Sequence, residues 1–105
     1  MKELRSLDLS NTGIDGSGLI SLGKAPLEEL DLSGTRLNEG SIISLSSFKG
    51  LRRLILGYTI LSDRILDRLS TLFNLEFLDL SSCECVSPKR IEKLKGELSR
   101  CKIKY

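Results

Sequence analysis

Leu51-Arg-Arg-Leu54-Ile-Leu56-Gly-Tyr-Thr59 comes back, with changes, along the whole chain, and no other feature limits the fold as tightly. Leu4-Arg-Ser-Leu7-Asp-Leu9-Ser-Asn-Thr12 is one copy, and Leu27-Glu-Glu-Leu30-Asp-Leu32-Ser-Gly-Thr35 is another. Leu75-Glu-Phe-Leu78-Asp-Leu80-Ser-Ser-Cys83 is a fourth, and Leu98-Ser-Arg-Cys101-Lys-Ile103-Lys-Tyr105 reads as a truncated fifth. The starts lie 23, 24, 24 and 23 residues apart. A period in this range marks a stacked array, because one such unit cannot bury its apolar face alone.

Each copy alternates apolar and polar residues, which is the period of a strand with alternate side chains buried. The rest of each unit switches toward helical spacing. Leu19 and Leu22, Ile42 and Leu45, Leu66 and Leu69, and Ile91 and Leu94 are i, i+3 pairs placed alike after their strands. Ser62-Asp63 offers a cap for the third helix, and Ser87-Pro88 puts an N-cap residue before a proline at the first helical position. Gly16, Gly18 and Gly40 weaken the first two helices, and Pro26 and Gly50 end their segments just before the next strand. Strand, turn, helix, strand at short period requires parallel strands joined by right-handed crossovers. Strands pack about 4.8 Å apart and helices are wider, so the stack curves with strands inside and helices outside.

These units resemble those of leucine-rich repeat proteins, whose strand motif is Leu-x-x-Leu-x-Leu-x-x-Asn/Cys-x-Leu. The resemblance covers nearly the whole chain. It implies one domain over 1–105, with repeats 4–26, 27–50, 51–74 and 75–97 and a closing strand within 98–105. The implied fold is α/β, a right-handed solenoid with a parallel sheet on the concave face and helices on the convex face. The Leu-Asp-Leu-Ser-x-Thr form is similar to Thr-type repeats of some bacterial proteins, and the ending resembles their C-terminal closure. Through Cys83 there is a looser likeness to the cysteine-containing repeats of ubiquitin-ligase receptors. Thr12, Thr35, Thr59 and Cys83 stand where most such families carry Asn. A Thr hydroxyl can bond a neighbouring carbonyl, whereas Cys does so weakly. Family membership of this kind implies an interaction scaffold and no activity.

Composition narrows the rest. Sixteen Lys and Arg against fourteen Asp and Glu leave +2, too balanced for a dedicated nucleic-acid binder. No run of eighteen apolar residues could span a membrane, and Met-Lys-Glu-Leu-Arg lacks the apolar stretch of a signal peptide. The expectation is an intracellular, cytoplasmic protein. Three cysteines is an odd count that favours free thiols. Cys83 and Cys101 read as core residues and Cys85 as a turn filler. A thiolate zinc site lacks a fourth ligand, since the chain contains no histidine. The same lack removes Ser-His and Cys-His nucleophiles, and no phosphate-binding glycine loop occurs. Asp8 and Asp31 share a motif position and could pair as acid and base, but Asp between the two leucines of this motif is more simply accommodated by nearby Ser hydroxyls or solvent. No enzyme activity and no cofactor is expected.

The exposed strand positions carry the functional expectation. The second motif column reads Arg5, Glu28, Arg52, Glu76, alternating in sign as a cross-strand charge ladder does. The fifth column reads Asp8, Asp31, Ile55, Asp79, Lys102, and Ile55 breaks it. Phe77 lies diagonal to Ile55, with Tyr58 near the rim, Asp79 beside Ile55, and Arg53 and Arg100 flanking Phe77. An apolar centre with aromatic and Arg neighbours is the composition of an interface hot spot, although single exposed apolar residues are ordinary. A protein partner on the concave sheet, through Ile55, Phe77, Tyr58, Arg53, Asp79 and Arg100, is the expected function. The alternative is a structural piece of a longer repeat protein or a ubiquitin-ligase receptor. Such a piece would associate through an uncapped first repeat, where Leu4, Leu7 and Leu9 begin after only three residues.

Overall fold

The computed structural model describes residues 5–13, 19, 25–37, 44–61, 63–83 and 86–105. Five three-residue strands form one sheet: β1 (Ser6–Asp8), β2 (Glu29–Asp31), β3 (Arg53–Ile55), β4 (Phe77–Asp79) and β5 (Lys102–Lys104). They lie in sequence order and every neighbouring pair is parallel. Two helices are described, α1 (Asp63–Leu69) and α2 (Pro88–Glu97). The glycines expected to weaken the first two helices lie outside the described residues, as do Leu22, Ile42 and Ser62. Leu19 and Leu45 are fully buried in the core. The architecture is an α/β solenoid with its sheet on the concave face.

The alternation seen in the sequence is what fills the interior. Leu30, Leu54 and Leu78 form one buried row across the sheet, and Leu32, Leu56 and Leu80 form the next. Leu66 and Leu69 of α1, and Ile91 and Leu94 of α2, close over them. Burying each such side chain stabilises by roughly 1.5–3 kcal/mol relative to leaving it in water. The turn after each strand is tied by its threonine. Thr12, Thr35 and Thr59 each donate a hydroxyl to the carbonyl three residues back, at 2.7, 2.6 and 2.6 Å. Cys83 cannot repeat this and donates instead across the stack to the Leu56 carbonyl, at 3.1 Å.

Helix α2 starts as its sequence requires. Ser87 has an extended backbone and its hydroxyl accepts the Arg90 N–H at 3.2 Å, with Pro88 at the first helical position. Asp63, at the head of α1, accepts both the N–H and the hydroxyl of Ser87 at 3.1 Å, which joins the starts of the two helices. Arg90, although charged, does not point to solvent. It is buried between the helices and pairs with Asp67 of α1 at 2.5 Å and with Glu97 at 3.0 Å.

Strand β5 corrects an expectation. Aligning Leu98 with Leu75 puts Arg100 beside Phe77 and Lys102 in the column of Ile55. In the sheet, Phe77 pairs with Lys102 and Asp79 with Lys104. The cause is the length of α2. Leu98 ends that helix as its buried C-cap, with its N–H on the Leu94 carbonyl. The strand therefore begins two residues later than the motif spacing implies. Cys101 falls ahead of the strand and is half-buried rather than a core residue, as is Cys83.

Candidate functional site

Side chains at the first and third position of each strand point away from the leucine row. They form two rows on the concave face. One reads Ser6, Glu29, Arg53, Phe77, Lys102, and the other Asp8, Asp31, Ile55, Asp79, Lys104. A third row of alternating charge runs just ahead of the strands. Arg5 meets Glu28 at 3.1 Å, Glu28 meets Arg52 at 4.0 Å, and Arg52 meets Glu76 at 2.6 Å. The hydrogen bond between Arg52 and Glu76 holds the Glu76 carboxyl below, and the guanidinium above, their ordinary pKa values. Arg100 joins the end of this row rather than flanking Phe77. It shares a hollow of about 500 Å³ with Arg5, Glu28, Arg52 and Glu76.

Asp8, Asp31 and Asp79 are committed to the turns that follow them. Each accepts the N–H of the serine two residues on, from Ser10, Ser33 and Ser81, at 2.9, 2.9 and 2.8 Å. The Ser33 hydroxyl adds a second bond to Asp31 at 2.7 Å. The hydroxyl and N–H of Ser10 push the Asp8 pKa below its ordinary value. An ionised carboxylate held in a turn is poorly placed to exchange protons near neutral pH. Among the described residues, no group of three or more His, Cys, Asp or Glu gathers as a metal site. No helix of the described residues is long and apolar enough to cross a membrane.

The third repeat departs from this scheme. Ile55 replaces the aspartate and Gly57 the serine, so the aspartate-serine tie of the turn is gone and only the Thr59 hydroxyl bond remains. The next residue in every repeat takes a left-handed conformation: Asn11 at φ 57°, Gly34 at 69°, Tyr58 at 59° and Ser82 at 55°. Backbone ladder bonds run past the strands here, from Asn11, Gly34 and Tyr58 to the carbonyls of Ser33, Gly57 and Ser81. At Gly34 a Cβ would meet only the tip of the exposed Asn11 side chain, which can turn aside, so it is the φ that favours glycine there. Glycine and asparagine take this conformation at little cost, and a tyrosine does not. Tyr58 is nevertheless there, and its side chain is 73% exposed. Ile60, two residues on, is 62% exposed.

Ile55 and Phe77 are half-buried on the floor of the sheet. Arg53 reaches Glu29 at 3.8 Å and lays its guanidinium 4.9 Å from the centre of the Phe77 ring. Two shallow depressions meet at Glu29 and Arg53. One, of about 330 Å³, includes Phe77 and Glu76, and the other, of about 160 Å³, includes Asp8, Asp31 and Ile55. The structure thus groups Ile55, Phe77, Arg53 and Asp79 on one face and leaves Tyr58 exposed in the turn that follows Ile55, but sets Arg100 outside. Two residues of this surface were missed from the sequence. Ile60 follows the column of Gly13 and Arg36 and could have been found by aligning the turns. Lys102 could have been found because Leu98 completes the i, i+3, i+7 face of Ile91 and Leu94, and so cannot also open the strand motif.

Comparison with known proteins matches the Leucine Rich repeat family over residues 3–23 and a second Leucine Rich Repeat model over residues 26–48. A solved structure of a leucine-rich repeat protein of Leptospira interrogans is similar to this chain, with a TM-score of 0.74 and 31% sequence identity. The match covers 97% of this chain and 25% of that one, so this chain spans about a quarter of that protein's length. No curated protein matches.

Proposed function

Because this chain is a leucine-rich repeat protein, we propose that it binds a protein partner, and that the partner sits on the concave sheet around Ile55, Phe77 and the Tyr58 rim. Proteins of this family and fold are commonly interaction modules and generally not enzymes. The observation that carries the placement is the third repeat. It lacks the aspartate-serine turn bond, holds a tyrosine in a left-handed conformation, and leaves Tyr58 and Ile60 exposed just past the half-buried Ile55. Strain retained at an exposed position points to a use for that position. Arg53 and Asp79 supply polar contacts beside the apolar centre.

The test is capture of partners on the immobilised chain, compared with Ile55→Asp, Tyr58→Ala and, on α1, Arg68→Ala. Partners of the parent should be lost with Ile55→Asp and weakened with Tyr58→Ala at unchanged melting temperature. A hot-spot side chain is worth at least about 2 kcal/mol of binding, roughly thirty-fold. Partners kept by Ile55→Asp and lost by Arg68→Ala would move the site to the convex face.

A second reading, that this unit packs against further repeats or another copy through its first repeat, is favoured by one observation. Leu7 and Leu9 are only half-buried, while Leu30 and Leu32 at the same positions of the next strand are 1% and 0% exposed. Strand β1 is also an edge of the sheet, which is a template for another chain. Solution mass should then rise with concentration, and Leu7→Lys should suppress the rise. A constant monomer mass discards this reading.

A further inference from the structure

The geometry points to a partner segment of defined charge order: basic at one end, apolar in the middle and acidic at the other, lying obliquely across all five strands. This inference rests on the concave-face reading above. One track across the sheet takes one residue from each strand: Asp8, Asp31, Ile55, Phe77, Lys102. The first three lie in one row of the register, and the track then steps diagonally to Phe77 and on to its direct partner Lys102. It reads acidic, acidic, apolar, apolar, basic.

The residues on either side of the track do not blur that order. Glu29 and Arg53 pair with each other on one side. On the other side Asp79 and Lys104 are register neighbours of opposite charge, with no ion pair between them among the described residues, and Asp79 is held by the Ser81 N–H. The charge ladder ahead of the strands is likewise spent internally. Asp8, Asp31 and Lys102 enter no ion pair among the described residues. The turns hold one oxygen of each aspartate, which leaves the second oxygen of Asp8 and of Asp31, and the ammonium of Lys102, to meet a partner's charge. Asp8 stays ionised well into mild acid, since the Ser10 bonds hold its pKa down.

The dimensions suit an extended segment. Four strand spacings of about 4.8 Å make a track of roughly 19 Å, which about six extended residues span. A helix is less suited, because the two depressions that the track crosses are shallow and separated by the Arg53 side chain. Complementary charge at the ends would set which way the segment lies, while the apolar centre would set how long it stays.

The experiment is selection of a random twelve-residue peptide display library on the full chain, with each enriched peptide then titrated against the Ile55→Asp variant. The enriched peptides should carry Lys or Arg on one side of an apolar pair and Asp or Glu on the other. Their affinity should drop at least ten-fold on Asp8→Lys/Asp31→Lys, and that variant should instead favour peptides acidic at both ends. Enriched peptides that need Ile55 but show no charge order overturn the segment and leave the concave site standing. Peptides indifferent to Ile55→Asp overturn both. An empty selection overturns an extended segment as the occupant, and the partner capture above then decides the concave site by itself. Circular dichroism of each variant keeps loss of binding apart from loss of fold.

Discussion

Tyr58 is the residue whose local chemistry least fits its position. At φ 59° its Cβ crowds its own backbone, and the same site in the other repeats carries Asn11, Gly34 and Ser82. Left-handed backbone costs an ordinary residue about 1 kcal/mol or more relative to glycine or asparagine. With the ring 73% exposed, little packing offsets that cost. Tyr58→Asn should therefore raise the free energy of unfolding by about 1 kcal/mol in urea titration while weakening partner binding. A variant that unfolds more easily would show that the ring stabilises the fold, and the functional argument from strain would lapse. Cys101 gives a second prediction at this scale. Burial pushes its thiol up to about 11, so little thiolate exists near neutral pH, and the thiolate is the reactive form. Labelling of Cys101 should be slow at pH 7.5 in the native chain and fast in denaturant. The tyrosine was visible in the sequence, but its conformation was not. Only the ladder bonds on either side of the turn show that position 58 must be left-handed.

Among the elements, α2 carries the most argument. Its cap, its proline and its buried face were all legible, because each is a local signal within a few residues. Ser87→Ala should cost about 1 kcal/mol, the usual worth of an N-cap, and somewhat more if the link to Asp63 also matters. What could not be read locally was how far the helix runs. Leu98 satisfies both a helix face and a strand motif, and the helix wins because its N–H completes the bond to Leu94. That choice moves Lys102 beside Phe77 and leaves Cys101 half-exposed. Arg90 was likewise illegible, since its burial depends on carboxylates from two sites, Asp67 on α1 and Glu97 on its own helix. Burial opposes the Arg90 charge, yet the bonds from Glu97 and Asp67 outweigh it and raise its pKa. Asp67 is mostly exposed, so screening reduces what the pair is worth. Asp67→Asn should cost about 1 kcal/mol, far below the loss seen when a fully buried pair is broken. Arg90→Met keeps the aliphatic stem between the helices and should be close to neutral. A large loss from Arg90→Met and none from Asp67→Asn would assign the effect to the pair with Glu97 instead.

Across the whole molecule, the buried leucine rows and the strand order follow from one repeated nonapeptide, and for that reason the fold was legible almost entirely. The binding face was legible as a set of columns but not as a surface. Columns say which residues neighbour one another, while the pairing of Arg53 with both Glu29 and Phe77 depends on how a long side chain divides itself between two strands. A stack of this kind holds each unit through its nearest neighbours. Strand β4 and helix α1 are covered on their far side by β5 and α2, which supply Ile91, Leu94 and Leu98 to the core. Deleting residues 87–105 would expose Leu78 and Leu80, now 0% and 2% exposed, and remove the partner of every ladder bond on the outer side of β4. Each large apolar side chain so uncovered costs roughly 1.5–3 kcal/mol, against a total stability of only about 5–15 kcal/mol for a domain. The truncated chain should lose its cooperative thermal transition by circular dichroism. A truncation that still melts as sharply as the parent would mean that the first three repeats hold together on their own, and that α2 serves the concave face by placing Lys102 rather than by closing the core.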